Sequence, residues 1–366
     1  MMALTKHLYE PTYGIPPGKL LEEYLQTLGI SARELSRRCG RSAKLVVEII
    51  AGKAPIEPET ALQFERVLGM GADIWLNMEA AYRLRLAEAD EAVQLSNETA
   101  WASRFPVKEL RKLRILKPSK SGTEDVRQLL SFFGAGSVDA CRERFGELAA
   151  VSYRHSPTFK SAEEPLMVWL RLGELQADDI ECDDFDRTRF LEALRAIRQL
   201  TTKNIREFLP EMVRLCAGAG VAFAIVKPLP GTALSGISRW LSPRKALIQQ
   251  SLRHMANDHF WFTFFHEAAH LLLHSRKSVF LDGTGYRSAE PKDEDEANAW
   301  AANFLIPQAA LQRFIASFSH APEEVIAFAE AQGIAPGIVV GQLQKREIIA
   351  FSQMNKLKEG YRWIDS

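Results

Sequence analysis

Asn257-Asp258-His259-Phe260-Trp261-Phe262-Thr263-Phe264-Phe265-His266-Glu267-Ala268-Ala269-His270-Leu271-Leu272-Leu273-His274 is the stretch on which this 366-residue chain turns. Inside it, His266-Glu267-Ala268-Ala269-His270 has the HExxH pattern. Residues i and i+4 of an α-helix stand one above the other on one face, so both imidazoles can reach a single tetrahedral Zn2+ at about 2.0–2.1 Å. Glu267, one step round the helix, is then placed to serve as general base. Phe264, Phe265, Leu271, Leu272 and Leu273 leave the helix almost no solvent face, so its polar seam must be satisfied from within the fold. Two core histidines bonded to carbonyls would meet the same need without a metal. Asp258 is the expected N-cap.

Two histidines leave a catalytic zinc one protein ligand short, and a carboxylate from a second helix is a common third. Asp293-Glu294-Asp295-Glu296-Ala297-Asn298-Ala299-Trp300-Ala301-Ala302-Asn303-Phe304-Leu305-Ile306-Pro307 is the candidate segment, with Ala297, Trp300, Ala301, Phe304 and Leu305 at helical spacing. Glu294 extends that inward face. Glu296 lies about 200° further round and is the alternative ligand. Asn298, one turn on, is a candidate partner for a ligating histidine. The helix dipole favours an acidic first turn in any case, metal or none. His274, at i+8 from His266, has drifted about 80° round the helix and is expected beside the ligands rather than among them.

Residues 17 to 87 read as short helices divided by glycines. Pro17 opens the first, Leu20, Leu21, Tyr24, Leu25 and Leu28 form its inward stripe, and Gly29 closes it. Ser31 and Glu34 make a capping box for the second. Ser42 caps a third, with Leu45, Val46, Ile49 and Ile50 inward, and Gly52 stops it. A helix, a tight glycine turn and another helix form the pattern whose second member enters the DNA major groove. Ser31 to Lys53 holds six basic residues and two acidic ones, a net +4 in a chain whose 46 basic and 46 acidic residues cancel. Nucleic-acid affinity must therefore be local. Arg41, Ser42, Ala43 and Lys44 are the candidate DNA contacts at the start of the third helix, with Arg33 and Lys53 flanking. A solvated basic face is the plainer reading of the same residues. Glu48, in mid-helix, would be repelled by phosphate and would accept best from cytosine amino groups.

This region resembles the lambda-repressor-like domain of HigA-type antitoxins, through Gly18-Lys19-Leu20-Leu21-Glu22-Glu23-Tyr24-Leu25, Ser31-Ala32-Arg33-Glu34-Leu35, Ile49-Ile50-Ala51-Gly52-Lys53-Ala54-Pro55-Ile56, Pro58-Glu59-Thr60-Ala61-Leu62 and Trp75-Leu76-Asn77-Met78. The resemblance implies a homodimer on a palindromic double-stranded DNA operator, and a toxin as a further partner.

The middle of the chain carries less pattern. Ala100 to Lys120, broken at Pro106 and Pro118, and Thr188 to Leu209 are expected to be helical. Leu129, Leu130, Phe132, Phe133, Phe145 and Leu148 are expected to form a small helical layer, with Ser152 to Glu164 and Asp178 to Asp186 as loops. Further on, Val221 to Val226, Gly236 to Trp240 and Ala246 to Leu252 are strand candidates. Together they suggest a small sheet beside the HExxH helix, whose edge can take an extended peptide by strand addition.

A second resemblance covers roughly residues 200 to 310. Gly236, Ile248, Arg253, the run Phe262 to His274, Glu294-Asp295-Glu296-Ala297-Asn298-Ala299-Trp300-Ala301 and Leu305-Ile306-Pro307 are similar to the ImmA/IrrE metallopeptidases, with Trp300 where that family usually has Phe. The likeness implies zinc, a thermolysin-like attack of water on a peptide bond, and a repressor protein as substrate. Carried over, His266, His270 and Glu294 are the ligands and Glu267 the base.

Cys39, Cys141, Cys182 and Cys216 show no CxxC pairing, which argues against a disulfide framework. Met1 to His7 lacks a signal-peptide core and no apolar run reaches about 18 residues, so a soluble cytoplasmic protein with no membrane partner is expected. The expected fold is α+β and mostly α. It has a five-helix lambda-repressor-like domain over 1–90, a helical connecting region over 91–200, and a zincin-like domain over 201–366. The expected function is a DNA-binding regulator whose zinc endopeptidase cleaves a repressor or antitoxin. The alternative is an antitoxin-like repressor with a zinc domain that senses without cutting.

Overall fold

The computed structural model describes residues 16–146, 163–230, 232, 235–252, 255–274 and 291–363. Leu148, Arg253 and most of the loop expected from Ser152 lie outside them. The chain forms two compact units, Met1–Ala100 and Trp101–Ser366. It is α+β and mostly helical, with one three-stranded sheet among the described residues.

The first unit is built from α1 (Pro17–Leu28), α2 (Ala32–Cys39), α3 (Ala43–Ile50), α4 (Pro58–Leu68) and the long α5 (Ala72–Asn97). Leu21, Leu25, Leu35, Val46, Ile49, Ile56, Phe64 and Trp75 make its core. Trp75 meets the rings of Tyr24 and Phe64 edge-on, at centroid distances of 6.1 and 5.6 Å. Ser31 and Ser42 cap α2 and α3 through the N–H groups of Glu34 and Leu45. Two expectations need correction. Leu28 is exposed rather than inward, because α1 ends there; Leu21 and Leu25 are buried in the core and Leu20 and Tyr24 pack against it. The capping box is half formed: the Glu34 carboxylate pairs with Arg37 and Arg38 one turn on, which wins its charge two cationic partners.

In the second unit, α6 (Val107–Lys112), α7 (Gly122–Phe133) and α8 (Val138–Cys141), which runs into a π turn over Arg142–Gly146, form the helical layer. The rings of Phe105, Phe132, Phe133 and Phe145 meet through it in tilted and edge-on contacts. Next come α9 (Glu163–Asp178), α10 (Arg187–Gln199) and α11 (Ile205–Ala217), so the helix expected over Thr188–Leu209 is in fact two. Asn204 breaks it, capping α11 by accepting from the N–H groups of Arg206 and Glu207.

The sheet has the order β1-β3-β2: β1 (Val221–Ile225) runs parallel to β3 (Lys245–Gln250), and β2 (Gly236–Ser242) antiparallel to it. Side-chain alternation gives it two buried faces. Ala222, Ala224 and Leu247 pack with Ala177 of α9. Val221, Phe223, Ala246 and Ile248 face the main core with Phe260 and Phe264 of α12 (Asn257–Leu273). Helix α9 is further tied down by bonds from Gln249 to the Trp169 carbonyl (2.6 Å), from Lys245 to that of Ala177 (2.6 Å), and from the fully buried Arg239 to Glu174 (2.8 Å). The chain ends in α13 (Pro291–Leu305), α14 (Gln308–Ser317), α15 (Pro322–Gln332) and α16 (Pro336–Lys345). No single described helix is long and apolar enough to cross a membrane.

The HExxH helix is therefore held on three sides, by the sheet, by α13 and by α16. Its N-terminus departs from expectation. Ala256 occupies the cap position with no side-chain cap, and Asp258 sits inside the first turn, paired at 2.6 Å with Lys358. A buried carboxylate gains more from a full cation than from one amide. Helix α16 crosses so close here that a Cβ on Gly341 would stand 2.8 Å from the Asp258 carboxylate.

Candidate metal centre

Helix α12 presents His266 and His270 one turn apart, and the first turn of α13 brings Glu294 against both. The two Nε2 atoms are 3.0 Å apart. Glu294 places one carboxylate oxygen 3.3 Å from His266 Nε2 and the other 3.4 Å from His270 Nε2. Ligand atoms on a tetrahedral zinc with bonds of about 2.0–2.1 Å stand about 3.3–3.4 Å from each other. Two imidazole nitrogens facing each other at 3.0 Å also need a proton or a cation between them. Both the spacing and the N2O donor set thus fit a divalent ion.

Glu267 is buried, and one of its carboxylate oxygens accepts from the Ser238 hydroxyl at 2.9 Å. Burial pushes its pKa up; the neighbouring His266 and the bonds from Ser238 pull it part of the way back. Strand β2 comes this close because it begins at Gly236, where a Cβ would fall 2.7 Å from Thr263 and 3.2 Å from the Glu267 side chain. Asn298 acts on the His266 ring, although His266 Nδ1 is buried with no bond of hydrogen-bond geometry. Glu296, the alternative ligand, is 55 % exposed and lies near His274 instead, at 3.7 Å. Trp300 stacks on Phe304 with ring centroids 4.6 Å apart.

Burial pulls the His266 pKa down, but the bond with Glu294 and the charges of Glu267 and Glu294 outweigh it, leaving the imidazole above its ordinary value. Only the deprotonated ring can ligate a metal. Zinc affinity, measured against a competing chelator, should therefore be full above that raised pKa and fall as pH drops through it. A flat affinity between about pH 8 and about pH 6 would contradict this electrostatic picture.

In the first unit, α3 turns Ala43, Lys44 and Val47 outward; Val47 is 55 % exposed. In the sequence Val47 carries no polar signal, being a valine between core positions. Ser42 is engaged as the cap of α3, while Arg33 and Lys53 are exposed. Arg41 leans on α4, donating to the Gln63 side chain at 2.7 Å and standing 4.0 Å from Glu59. Glu48 lies 3.7 Å from Lys44, which offsets part of its charge.

Comparison with known proteins agrees with this two-part reading. The family described as IrrE N-terminal-like domain, peptidase M78, matches residues 252–331. In the N-terminal region the chain is 41% identical over 78 residues to virulence-associated protein I of Dichelobacter nodosus, spanning 21% of this chain and 72% of that protein. It is 34% identical over 80 residues to the uncharacterized HTH-type transcriptional regulator YddM of Escherichia coli (strain K12), spanning 22% of this chain and 83% of that one. The chain belongs to the HTH-type regulators, and its helix-turn-helix region is joined to a peptidase M78 domain. Among solved structures, a HigA-family addiction module antidote protein from Coxiella burnetii is 29% identical, covering 23% of this chain and 94% of its own, with a TM-score of 0.22. Antitoxin HigA of Pseudomonas aeruginosa, solved with the higBA promoter, is 30% identical, covering 24% and 95%, also with a TM-score of 0.22.

Proposed function

We propose that this protein is an operator-binding regulator that cleaves a repressor or antitoxin protein at a single zinc site. Residues 1–90 would read double-stranded DNA as a homodimer, residues 91–200 connect, and residues 201–366 form the peptidase. The observation that carries the catalytic half is the meeting of His266, His270 and Glu294 from two helices, with a buried carboxylate, Glu267, beside them. Those three residues would hold the zinc. When bound, it polarises the scissile carbonyl and lowers the pKa of water.

The chain's own groups account for the rest. Ser238 fixes one oxygen of Glu267 and leaves the other to take a proton from the attacking water and return it to the departing amine. A base whose pKa has been raised by burial is suited to both transfers. Strand β2 lies at the edge of the sheet and starts over Glu267, so an extended peptide added along it would pass the base. In the DNA-reading half, Ala43, Lys44 and Val47 form the outward face of α3, with Val47 suited to a thymine methyl group and Lys44, Arg33 and Lys53 to phosphates.

Metal analysis of the purified protein, together with incubation alongside the repressor or antitoxin encoded next to its gene, tests this reading. One zinc per chain and cleavage abolished by a chelator are expected. Mobility shifts on the adjoining promoter should weaken steeply with salt, as phosphate contacts require. Operator binding by a protein that neither holds zinc nor cuts its neighbour would establish the non-cleaving repressor instead.

A further inference from the structure

His274 is the third imidazole of a ladder, and a second group of potential ligand atoms gathers round it with Asp293 and Glu296. The residue ends α12 in an extended conformation (φ −100°, ψ 157°). Its neighbour is His270, four residues back on the same face, rather than His266. Its Nδ1 stands 2.9 Å from His270 Nδ1. The side chain is 9 % exposed, and its Nε2 is buried with no hydrogen-bond partner, 3.9 Å from Asp293 and 3.7 Å from Glu296.

We propose that His274 is a positioning residue that fixes the tautomer and ring orientation of His270, and that Asp293 and Glu296 anchor it in turn; this rests on the zinc reading above. Proton counting supports the assignment. A neutral His270 that ligates through Nε2 carries its one proton on Nδ1. That proton lies in the 2.9 Å contact, so His274 Nδ1 must be the acceptor and bring a bare lone pair. The one proton of His274 is then on Nε2, the atom aimed at the two carboxylates. Distances of 3.7 and 3.9 Å exceed a direct hydrogen bond, but a bridging water or a small inward turn of the half-exposed Glu296 side chain would complete the chain. One helical turn of α13 thus serves both ends of the ladder: Glu294 meets the ligating nitrogens, and its neighbours Asp293 and Glu296 meet His274.

The same count disfavours a second cation held by His274, Asp293 and Glu296. An ion on Nε2 would need a lone pair there while Nδ1 is also bare, which makes His274 an imidazolate.

Zinc affinity and stoichiometry of the full chain, measured by chelator competition, provide the test. His274→Ala should lower affinity about 10- to 100-fold, the usual loss when such a partner is removed. His274→Asn should recover most of that loss, because the asparagine oxygen occupies the place of Nδ1 and accepts the same proton. A role in packing alone would not be rescued this way. Asp293→Ala combined with Glu296→Ala, at one partly buried and one exposed position, should weaken zinc by less than His274→Ala. Unchanged affinity in His274→Ala would overturn the proposal, as would two tight equivalents in the parent falling to one in the Asp293 and Glu296 variant. A parent chain that binds no zinc would instead remove the reading beneath it, so the two failures are told apart.

Discussion

Glu267→Gln is expected to hold zinc as tightly as the parent and to cleave its protein target about 10²–10⁴-fold more slowly, the range that a positioned general base contributes. The residue does not belong to the converging set of His266, His270 and Glu294, so the ion's donors stay in place. Glutamine keeps the side-chain volume, and its amide oxygen can still accept from Ser238. What disappears is the group that takes a proton from water. Burial already works against the charged form of Glu267, so a neutral amide in its place should leave thermal stability equal or slightly higher. Zinc content, melting temperature and target processing measured on one preparation separate these effects. If the variant processes its target at the parental rate, Glu267 is not the base and the mechanism fails, whatever the metal content.

Much of this centre was legible because its parts are periodic. The spacing of His266 and His270 requires only helical geometry, and Glu294 follows from the buried stripe of Ala297, Ala301 and Leu305. The caps at Ser31 and Ser42 are equally local. Misses arose where a residue's partner is distant in sequence or where its helix stops. Asp258 has the chemistry of an N-cap, yet its partner Lys358 lies 100 residues on. His274 meets His270 as its i+4 neighbour at the end of α12, a contact that the drift counted from His266 concealed. Helix α9 escaped notice for another reason: Leu166, Met167, Val168, Trp169 and Leu170 are all buried, so the segment has no polar face to set a period. Ser238 gave no signal at all, since a serine in a short strand has none until the fold puts Glu267 opposite.

Lys358→Met should destabilise the second unit by about 3–5 kcal/mol, because removing one partner strands the other charge in a buried site. Lys358 lies 2.6 Å from Asp258 and 2.7 Å from the Gln344 side-chain oxygen, and both acceptors are buried. The pair sits among backbone bonds that clamp the start of α12 to the C-terminal segment: the Asn257 N–H donates to the Glu359 carbonyl at 2.9 Å, and the Tyr361 N–H to that of Met255 at 2.7 Å. Methionine fills the space of the lysine stem but offers neither charge nor donor. Against a total stability of about 5–15 kcal/mol, the loss is large, and the melting temperature should fall by roughly 10 °C. Adding Asp258→Asn should restore part of it, since the stranded charge is what costs most. Asp258 precedes His266 by eight residues, about 12 Å along the helix, so the molecules that remain folded should bind zinc normally. A denaturant midpoint in Lys358→Met close to the parent's would mean that Asp258 is hydrated in solution and that the clamp rests on the backbone bonds alone.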